Sequence, residues 1–257
     1  MATGKGKINL KLSYDQLIFR RSLLFAVSFA LLLWLVRAVE WGTTSDFGAF
    51  GILPRHATGM VGIITGPLIH GNFIHLLSNT FPLLMLMVAV FYFYEKIALE
   101  VFIWIYLITG AWVWIAAREA YHIGASGLVY GLGAFLFFSG IFRRDARSIA
   151  VAVAIAFLYS GMIQGVLPGA DATVSWESHL LGAAAGVFCA FYFRSKRIAL
   201  GSSVALGEIV RKEGAVSHTF HRYPFHTGTS FGSSFKDEQS PVSFERYVFK
   251  KKDKSGE

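Results

Sequence analysis

Six long apolar runs constrain the fold of this chain more than any other feature. A helix crosses the hydrocarbon core of a bilayer with about 20 mainly apolar residues, in a range of roughly 17–25. Runs of this kind occupy residues 22–39, 75–94, 97–117, 126–142, 148–166 and 178–193. A chain that is 54% hydrophobic and 16% charged does not have the composition of a soluble domain. We therefore predict an all-α membrane protein built as a six-helix bundle.

The segments around these runs differ in composition. Residues 1–21 form a short basic N-terminal segment, residues 22–193 form one membrane domain, and residues 194–257 form a polar tail. We expect the tail to be largely disordered and cytoplasmic. The stretch 40–74 is too long for a turn and too apolar for a solvated loop, so we expect it to lie partly in the membrane interface. The histidines of the tail lack the spacing of a metal-ligand set, and we predict no metal.

The basic residues are unevenly distributed between the two ends of the predicted helices. Cytoplasmic loops of membrane proteins are rich in Lys and Arg. Twelve basic residues flank the first, third, fifth and sixth runs on one side: Lys5, Lys7, Lys11, Arg20, Arg21, Lys96, Arg143, Arg144, Arg147, Arg194, Lys196 and Arg197. The opposite loops hold Arg55 and Arg118, with Arg37 at the edge of the first run. The formal net charge of +8 thus reflects topology rather than nucleic-acid binding, and both termini are predicted to be cytoplasmic.

Four polar side chains stand at the outer ends of predicted helices. With cytoplasmic termini, the second, fourth and sixth helices all begin at the outer face. These starts carry His75, Asn79, Ser126 and His179. Polar groups inside a bilayer are costly and indicate a functional site by default. Taken singly, each also has a structural explanation, because a serine beside glycine caps helices and His or Asn links neighbouring helices by hydrogen bonds.

Ser126 stands between small residues at the start of the fourth helix, in the segment Gly124-Ala125-Ser126-Gly127. Gly124 and Gly127 permit a tight turn and a close approach of the backbone. The N-terminus of a helix offers free N–H groups and a positive potential, which stabilise a negative oxygen formed beside the serine. These features suit a nucleophilic serine.

His179 begins the sixth helix and shares one helical face with Gly182 and Gly186. Small residues at four-residue spacing let a neighbouring helix come very close. Such packing would bring the Ser126 hydroxyl within hydrogen-bond reach of the His179 ring, as in an activated nucleophile. Tyr130 lies on the facing side of the fourth helix, where it would stack against the imidazole or orient it. No carboxylate of the membrane segments stands near His179, so we predict a Ser–His dyad.

Several other polar residues lie near the predicted dyad. His75 and Asn79 are four residues apart and share a helical face, so together with the Ser126 N–H they suit an oxyanion hole. Polar packing between helices is the alternative for this pair. His70 would either line a water path or brace the loop that precedes the second helix. A carboxylate relay from Glu177, in the last outer loop, to His179 is conceivable. Because Glu177 stands two residues before the start of a helix, we expect it to face water, and we leave it outside the site.

The pattern of these residues resembles the rhomboid family of intramembrane serine proteases over roughly residues 50–193. The resemblance rests on three motifs: His70-x4-His75-x3-Asn79, Gly124-Ala125-Ser126-Gly127 with Tyr130, and His179-x2-Gly182-x3-Gly186. It implies a six-transmembrane-helix bundle with a water-filled cavity open to the outer side, in which Ser126 is the nucleophile and His179 the general base. The stretch 40–74 resembles the large first loop of the family, with Pro54-Arg55 in place of its Trp-Arg pair.

The resemblance implies a serine endopeptidase that cleaves single-pass or multi-pass membrane proteins near the outer membrane face, without a metal or organic cofactor. Substrates with Gly, Ser or Pro near the outer end of their span are expected, because an intact helix hides its carbonyls. The expected location is a bacterial inner (cell) membrane, as a multi-pass protein in the lipid bilayer.

Two alternatives remain. One is a catalytically inactive rhomboid-like protein that binds membrane clients. The other is a small transporter or channel with a polar pathway of His75, Asn79 and His179. The sequence lacks the paired half-repeat of many carriers.

Overall fold

The computed structural model of the chain describes residues 13–168 and 175–196. Within these residues the backbone is helical, and its β pairing is limited to an isolated antiparallel bridge between Ile52 and His122. The α-helices are α1 (Tyr14–Thr43), α2 (Gly62–Thr65), α3 (Phe73–Phe93), α4 (Ala98–Ala116), α5 (Ser126–Arg143), α6 (Ala146–Leu158), α7 (Met162–Gly165) and α8 (Trp176–Tyr192). Short 3-10 turns lie at Phe47–Phe50, Ala57–Val61 and Gly66–Leu68. The expectation of a disordered tail concerns residues 197–257 almost entirely, which lie outside the described part.

Four helices of the described chain, α1, α3, α4 and α5, are long and apolar enough to cross a membrane. Soluble proteins rarely expose large continuous apolar patches. The outward faces of these helices expose many large apolar side chains, among them Leu31, Leu35, Ile74, Phe81 and Ile115. The helices α6 and α8 are shorter, with 13 and 17 residues. The prediction of an all-α membrane fold is therefore confirmed for this part of the chain.

Two helix boundaries differ by eight residues from the sequence-based prediction, and the others lie within four. Helix α1 begins eight residues before the predicted start at residue 22, because Ser13 and Gln16 form a capping box that satisfies two N–H groups. Helix α6 ends at Leu158 rather than at residue 166. The chain there runs into Ser160 and Gly161, which are weak helix formers, and a separate short helix, α7, follows.

Helix α5 lies at the centre of the bundle and contacts α3, α4, α6 and α8. Its side chains Leu132, Phe135 and Leu136 are fully or almost fully buried. The closest contact is with α8. A Cβ atom placed on Gly182 would lie 2.1 Å from the carbonyl oxygen of Gly127. The two backbones therefore touch directly along this seam.

The segment between α1 and α3 is fastened to the end of α4. Arg55 adopts a left-handed φ of 62°, and its guanidinium donates to the Ala117 carbonyl at 2.7 Å. The backbone N–H of Arg55 donates to the Trp114 carbonyl at 2.9 Å, and the Trp114 indole donates to the His56 carbonyl at 2.9 Å. Arg55 and Trp114 therefore anchor this segment.

The direct contact of α5 and α8 makes a stability prediction. In Gly186→Ala the new Cβ would lie 2.0 Å from the Gly131 carbonyl oxygen and 2.9 Å from the Phe135 nitrogen, so a backbone must move. We expect a loss of about 1–3 kcal/mol, as for overpacked cores, and a melting temperature in detergent lower by roughly 2–4 °C per kcal/mol. In the control Gly42→Ala, on α1, the Cβ has open space within 4 Å. An equal melting temperature for Gly186→Ala and Gly42→Ala would contradict the close seam.

Candidate active site

A cavity of about 730 Å³ lies at the end of the bundle where α3, α5 and α8 begin. We call this the site end. The cavity brings together most of the polar residues singled out from the sequence: His75, Asn79, Ser126, Tyr130 and His179. Gly124 precedes the start of α5, and Gly182 and Gly186 lie on the α8 seam. Residues from three separate helices thus face one open space.

Ser126 and His179 lie at matching levels of α5 and α8. A Cβ atom on Gly127, the neighbour of Ser126, would lie 3.0 Å from the carbonyl oxygen of Ser178, the neighbour of His179. The Tyr130 ring stacks on the His179 ring, with centroids 4.2 Å apart and planes 10° apart. Among the hydrogen bonds of the described residues, none joins the Ser126 hydroxyl to the His179 ring. Ser126 and His179 therefore line one cavity without a direct hydrogen bond, and catalytic hydrogen bonds are often long in the absence of substrate.

The His179 ring is held by the backbone. Its Nδ1 lies 2.8 Å from the carbonyl oxygen of Gly165, the last residue of α7. A carbonyl only accepts hydrogen bonds, so Nδ1 carries the proton. In a neutral imidazole the other nitrogen, Nε2, then has a free lone pair. His179 is thereby set up to take a proton at Nε2.

The start of α5 faces the two polar side chains of α3. Gly124 has a φ of 104°, which L side chains rarely adopt, and a Cβ there would lie 2.9 Å from His75 Nε2 and 3.8 Å from Asn79 Nδ2. The residue that caps α5, Ala125, offers no side-chain acceptor to the first N–H groups of the helix. Free amides, the His75 ring and the Asn79 amide thus surround the space beside Ser126.

His70 lies beneath this turn rather than in the cavity. The ring is fully buried, its Nε2 accepts the Ala125 N–H at 3.3 Å, and it meets the His75 ring edge-on at 5.1 Å. Burial, with smaller contributions from His75 and Arg37, lowers the pKa of His70 from 6.5 to about 4. The position favours the bracing role for His70 over the water-path role.

A second hydrogen-bond network at the site end, around His122 and Ser175, was missed by the sequence analysis. His122 Nε2 lies 3.0 Å from the Arg118 carbonyl, so Nε2 carries the proton and Nδ1 accepts from the Ser175 hydroxyl at 2.6 Å. Ser175 in turn lies 2.7 Å from the Ser178 hydroxyl and caps the N-terminus of α8. Burial lowers the pKa of His122, which keeps it neutral. The capping role of Ser175 was recognisable from its place before α8, whereas His122 is a single loop residue without a motif.

The expectation for Glu177 is wrong. This carboxylate is only 8% exposed and lies 3.5 Å from the Arg118 guanidinium. A buried carboxylate needs such a cation to offset its desolvation. No hydrogen bond among the described residues links Glu177 to His179. Within the same residues, no group of three or more His, Cys, Asp or Glu side chains is placed to hold a metal ion.

The buried His70 makes the stability of the fold dependent on pH. Its pKa is about 4 in the folded chain against 6.5 when exposed, so between these values the unfolded chain binds more protons. Stability is therefore complete above about pH 6.5 and falls as the pH decreases towards 4. At pH 5 this one group lowers the free energy of unfolding by about 2 kcal/mol.

The variant His70→Gln keeps a hydrogen-bond acceptor but does not titrate. We expect its melting temperature to decrease less than that of the parent between pH 7 and pH 5. Parallel curves for the two proteins would contradict a buried neutral His70.

Comparison with known proteins agrees with this architecture. Residues 57–196, more than half of the chain, match the Rhomboid domain family. Uncharacterized proteins of Mycobacterium tuberculosis and Mycobacterium bovis are each 35% identical over 177 residues, which is 64% of this chain and 72% of the relative. An uncharacterized protein of Mycobacterium leprae is 33% identical over 173 residues, 64% of this chain and 68% of the relative. No solved structure matches the chain significantly. The chain is thus an integral membrane protein and belongs to the rhomboid family.

Proposed function

We propose that this chain is an intramembrane serine endopeptidase that cleaves transmembrane substrates near the outer membrane face through a Ser126–His179 dyad. One observation carries the proposal. Ser126, at an uncapped helix N-terminus, shares a cavity with a histidine whose Nδ1 is occupied by a carbonyl. This arrangement supplies a nucleophile, a base with the correct free nitrogen and donors for an oxyanion.

The reaction follows from these groups. The Ser126 Oγ attacks the scissile carbonyl carbon while its proton passes to His179 Nε2. The Ser126 N–H, His75 and Asn79 stabilise the negative oxygen of the tetrahedral intermediate. His179 returns the proton to the leaving amine as the C–N bond breaks, which leaves an ester on Ser126. Water then attacks this ester with His179 again as base, and the carboxylic acid product leaves.

Substrates are proposed to enter between α3 and α6. An apolar groove of about 330 Å³ separates these helices, lined on one side by Met85, Leu86 and Ala89, and on the other by Ala150, Ala154 and Leu158. Tyr159 lines both this groove and the cavity of Ser126. An apolar segment in the lipid could therefore lie in the groove and extend its unwound end to the serine. Membrane proteins with helix-weakening Gly, Ser or Pro near that end are the proposed substrates.

The proposed topology has six spans, both termini in the cytoplasm and the site end outside, in a bacterial inner membrane. Cationic side chains lie at the other end of the bundle. Arg143, at the end of α5, donates to the Lys196 carbonyl at 2.8 Å, and Lys196 pairs with Glu100 at 2.9 Å. Basic groups of this kind favour the cytoplasmic side. We propose α6 and α8 as two further spans. At 1.5 Å per residue they measure roughly 20 and 26 Å, so the bilayer beside them would be thinned.

Covalent labelling tests the nucleophile. Membranes that contain the parent protein should react with a fluorophosphonate probe, and Ser126→Ala should abolish the reaction. Ser78→Ala is the matched control, because Ser78 lines the same cavity but gives its single hydroxyl hydrogen to the His75 carbonyl of its own helix. Asn79 Nδ2 donates to the same carbonyl at 3.2 Å but has a second hydrogen for the cavity. Label that persists in Ser126→Ala would refute Ser126 as nucleophile. A folded parent that takes no label would favour the inactive client-binding protein.

The oxyanion hole has its own prediction. Asn79→Ala removes an amide donor beside Gly124, so cleavage of a membrane-anchored substrate should slow by about 100-fold in kcat with little change in KM. Asn79→Asp has the same shape but lacks the donors and repels a negative oxygen, so its loss should be at least as large. If both variants retained the kcat of Ser78→Ala, the oxyanion role of Asn79 would be wrong.

A further inference from the structure

The segment that follows α6 contributes a backbone group to the site. Helix α7 ends at Gly165, whose carbonyl accepts the Nδ1 proton of His179 at 2.8 Å. We propose that Gly165 is a positioning residue that fixes the tautomer and orientation of His179. It takes the place that a carboxylate holds in a Ser-His-Asp triad. This inference rests on the proposed function for its catalytic meaning, although the contact itself does not.

The Gly165 carbonyl is available for this task. It belongs to the last residue of α7, and carbonyls of the last helical turn have no partner within their own helix. The nearest carboxylate along the chain, Glu177, lies beside Arg118 instead. A carbonyl is neutral, so it sets which nitrogen of the ring is protonated without placing a second charge in the membrane.

Only glycine fits at position 165. A Cβ there would lie 1.9 Å from the Tyr130 hydroxyl oxygen, 2.9 Å from Tyr130 Cζ and 3.3 Å from His179 Nδ1. Tyr130 cannot retreat freely, because its ring already stacks on His179 at 4.2 Å. A side chain at 165 therefore must push α7 away from the imidazole or displace the tyrosine. Either movement lengthens the Gly165–His179 hydrogen bond.

The first experiment measures fluorophosphonate labelling rates of a matched set of variants. Gly165→Ala should label about 100-fold more slowly than the parent, the loss expected when a catalytic group is misplaced by about 1 Å. Gly161→Ala changes a glycine of the same segment whose Cβ has open space within 4 Å, and it should label like the parent.

Rescue separates positioning from general damage. Tyr130→Phe removes the atom that a Cβ at 165 would strike first, and it retains the ring on His179. The double variant Gly165→Ala with Tyr130→Phe should therefore label at least about tenfold faster than Gly165→Ala alone, since the two effects are coupled through contact. Labelling of Gly165→Ala at the rate of Gly161→Ala would overturn the proposal. So would a double variant no faster than Gly165→Ala.

The second experiment does not depend on activity. Nitrogen-15 NMR of histidine-labelled protein, with His179→Gln used to assign the signal, reports which ring nitrogen of His179 carries the proton. We expect the Nδ1–H form in Ser126→Ala, and a shift towards Nε2–H when Gly165→Ala is added. An Nε2–H form without that change would overturn the role of Gly165 even if the parent labels. An Nδ1–H form in a parent that does not label would support the Gly165 contact and refute the protease.

Discussion

The direct backbone contact between α5 and α8 determines the rest of the site. Lipid gives helices no hydrophobic reason to associate, so close van der Waals packing must hold them together. Glycines allow this packing, since a Cβ on Gly186 would lie 2.0 Å from the Gly131 carbonyl oxygen. The seam sets the level of the two helices. Ser126 begins α5, and His179 lies in the first turn of α8. The seam therefore places both residues at the same end of the bundle and in the same cavity.

Hydrogen bonds to the segment between α1 and α3 hold the turn before Ser126. The Gly124 N–H donates to the Gly66 carbonyl at 2.9 Å, the Ala125 N–H donates to His70, and His122 pairs with Ile52 in both directions. The partners all come from the segment between α1 and α3, which Arg55 and Trp114 fasten to α4. That segment therefore supports the turn. His70 is fully buried within it, and this burial keeps the imidazole neutral.

The all-α membrane fold and the family were predictable because they depend on repeated or paired features. Apolar runs identify membrane helices, and the four-residue spacing of Gly182 and Gly186 identifies a contact face. The role of Gly165 was not predictable, because its carbonyl is common to every residue and its position follows from the early end of α6. Glu177 was misjudged because the cation that permits its burial, Arg118, lies 59 positions away in the chain. Sequence patterns thus predict contact faces whose residues repeat at a fixed spacing. A contact between two single residues far apart in the chain is seen only in the folded structure.

The early end of α6 places the proposed substrate entrance close to the proposed base. Only three residues, Tyr159 to Gly161, separate α6 from α7. Tyr159 lines both the groove between α3 and α6 and the cavity of Ser126, and Gly165 at the end of α7 binds His179. The wall of the proposed entrance and the acceptor for the imidazole are therefore parts of one short stretch of chain. A substrate segment in the proposed entrance would therefore lie beside Tyr159, six residues before the carbonyl that accepts the His179 proton.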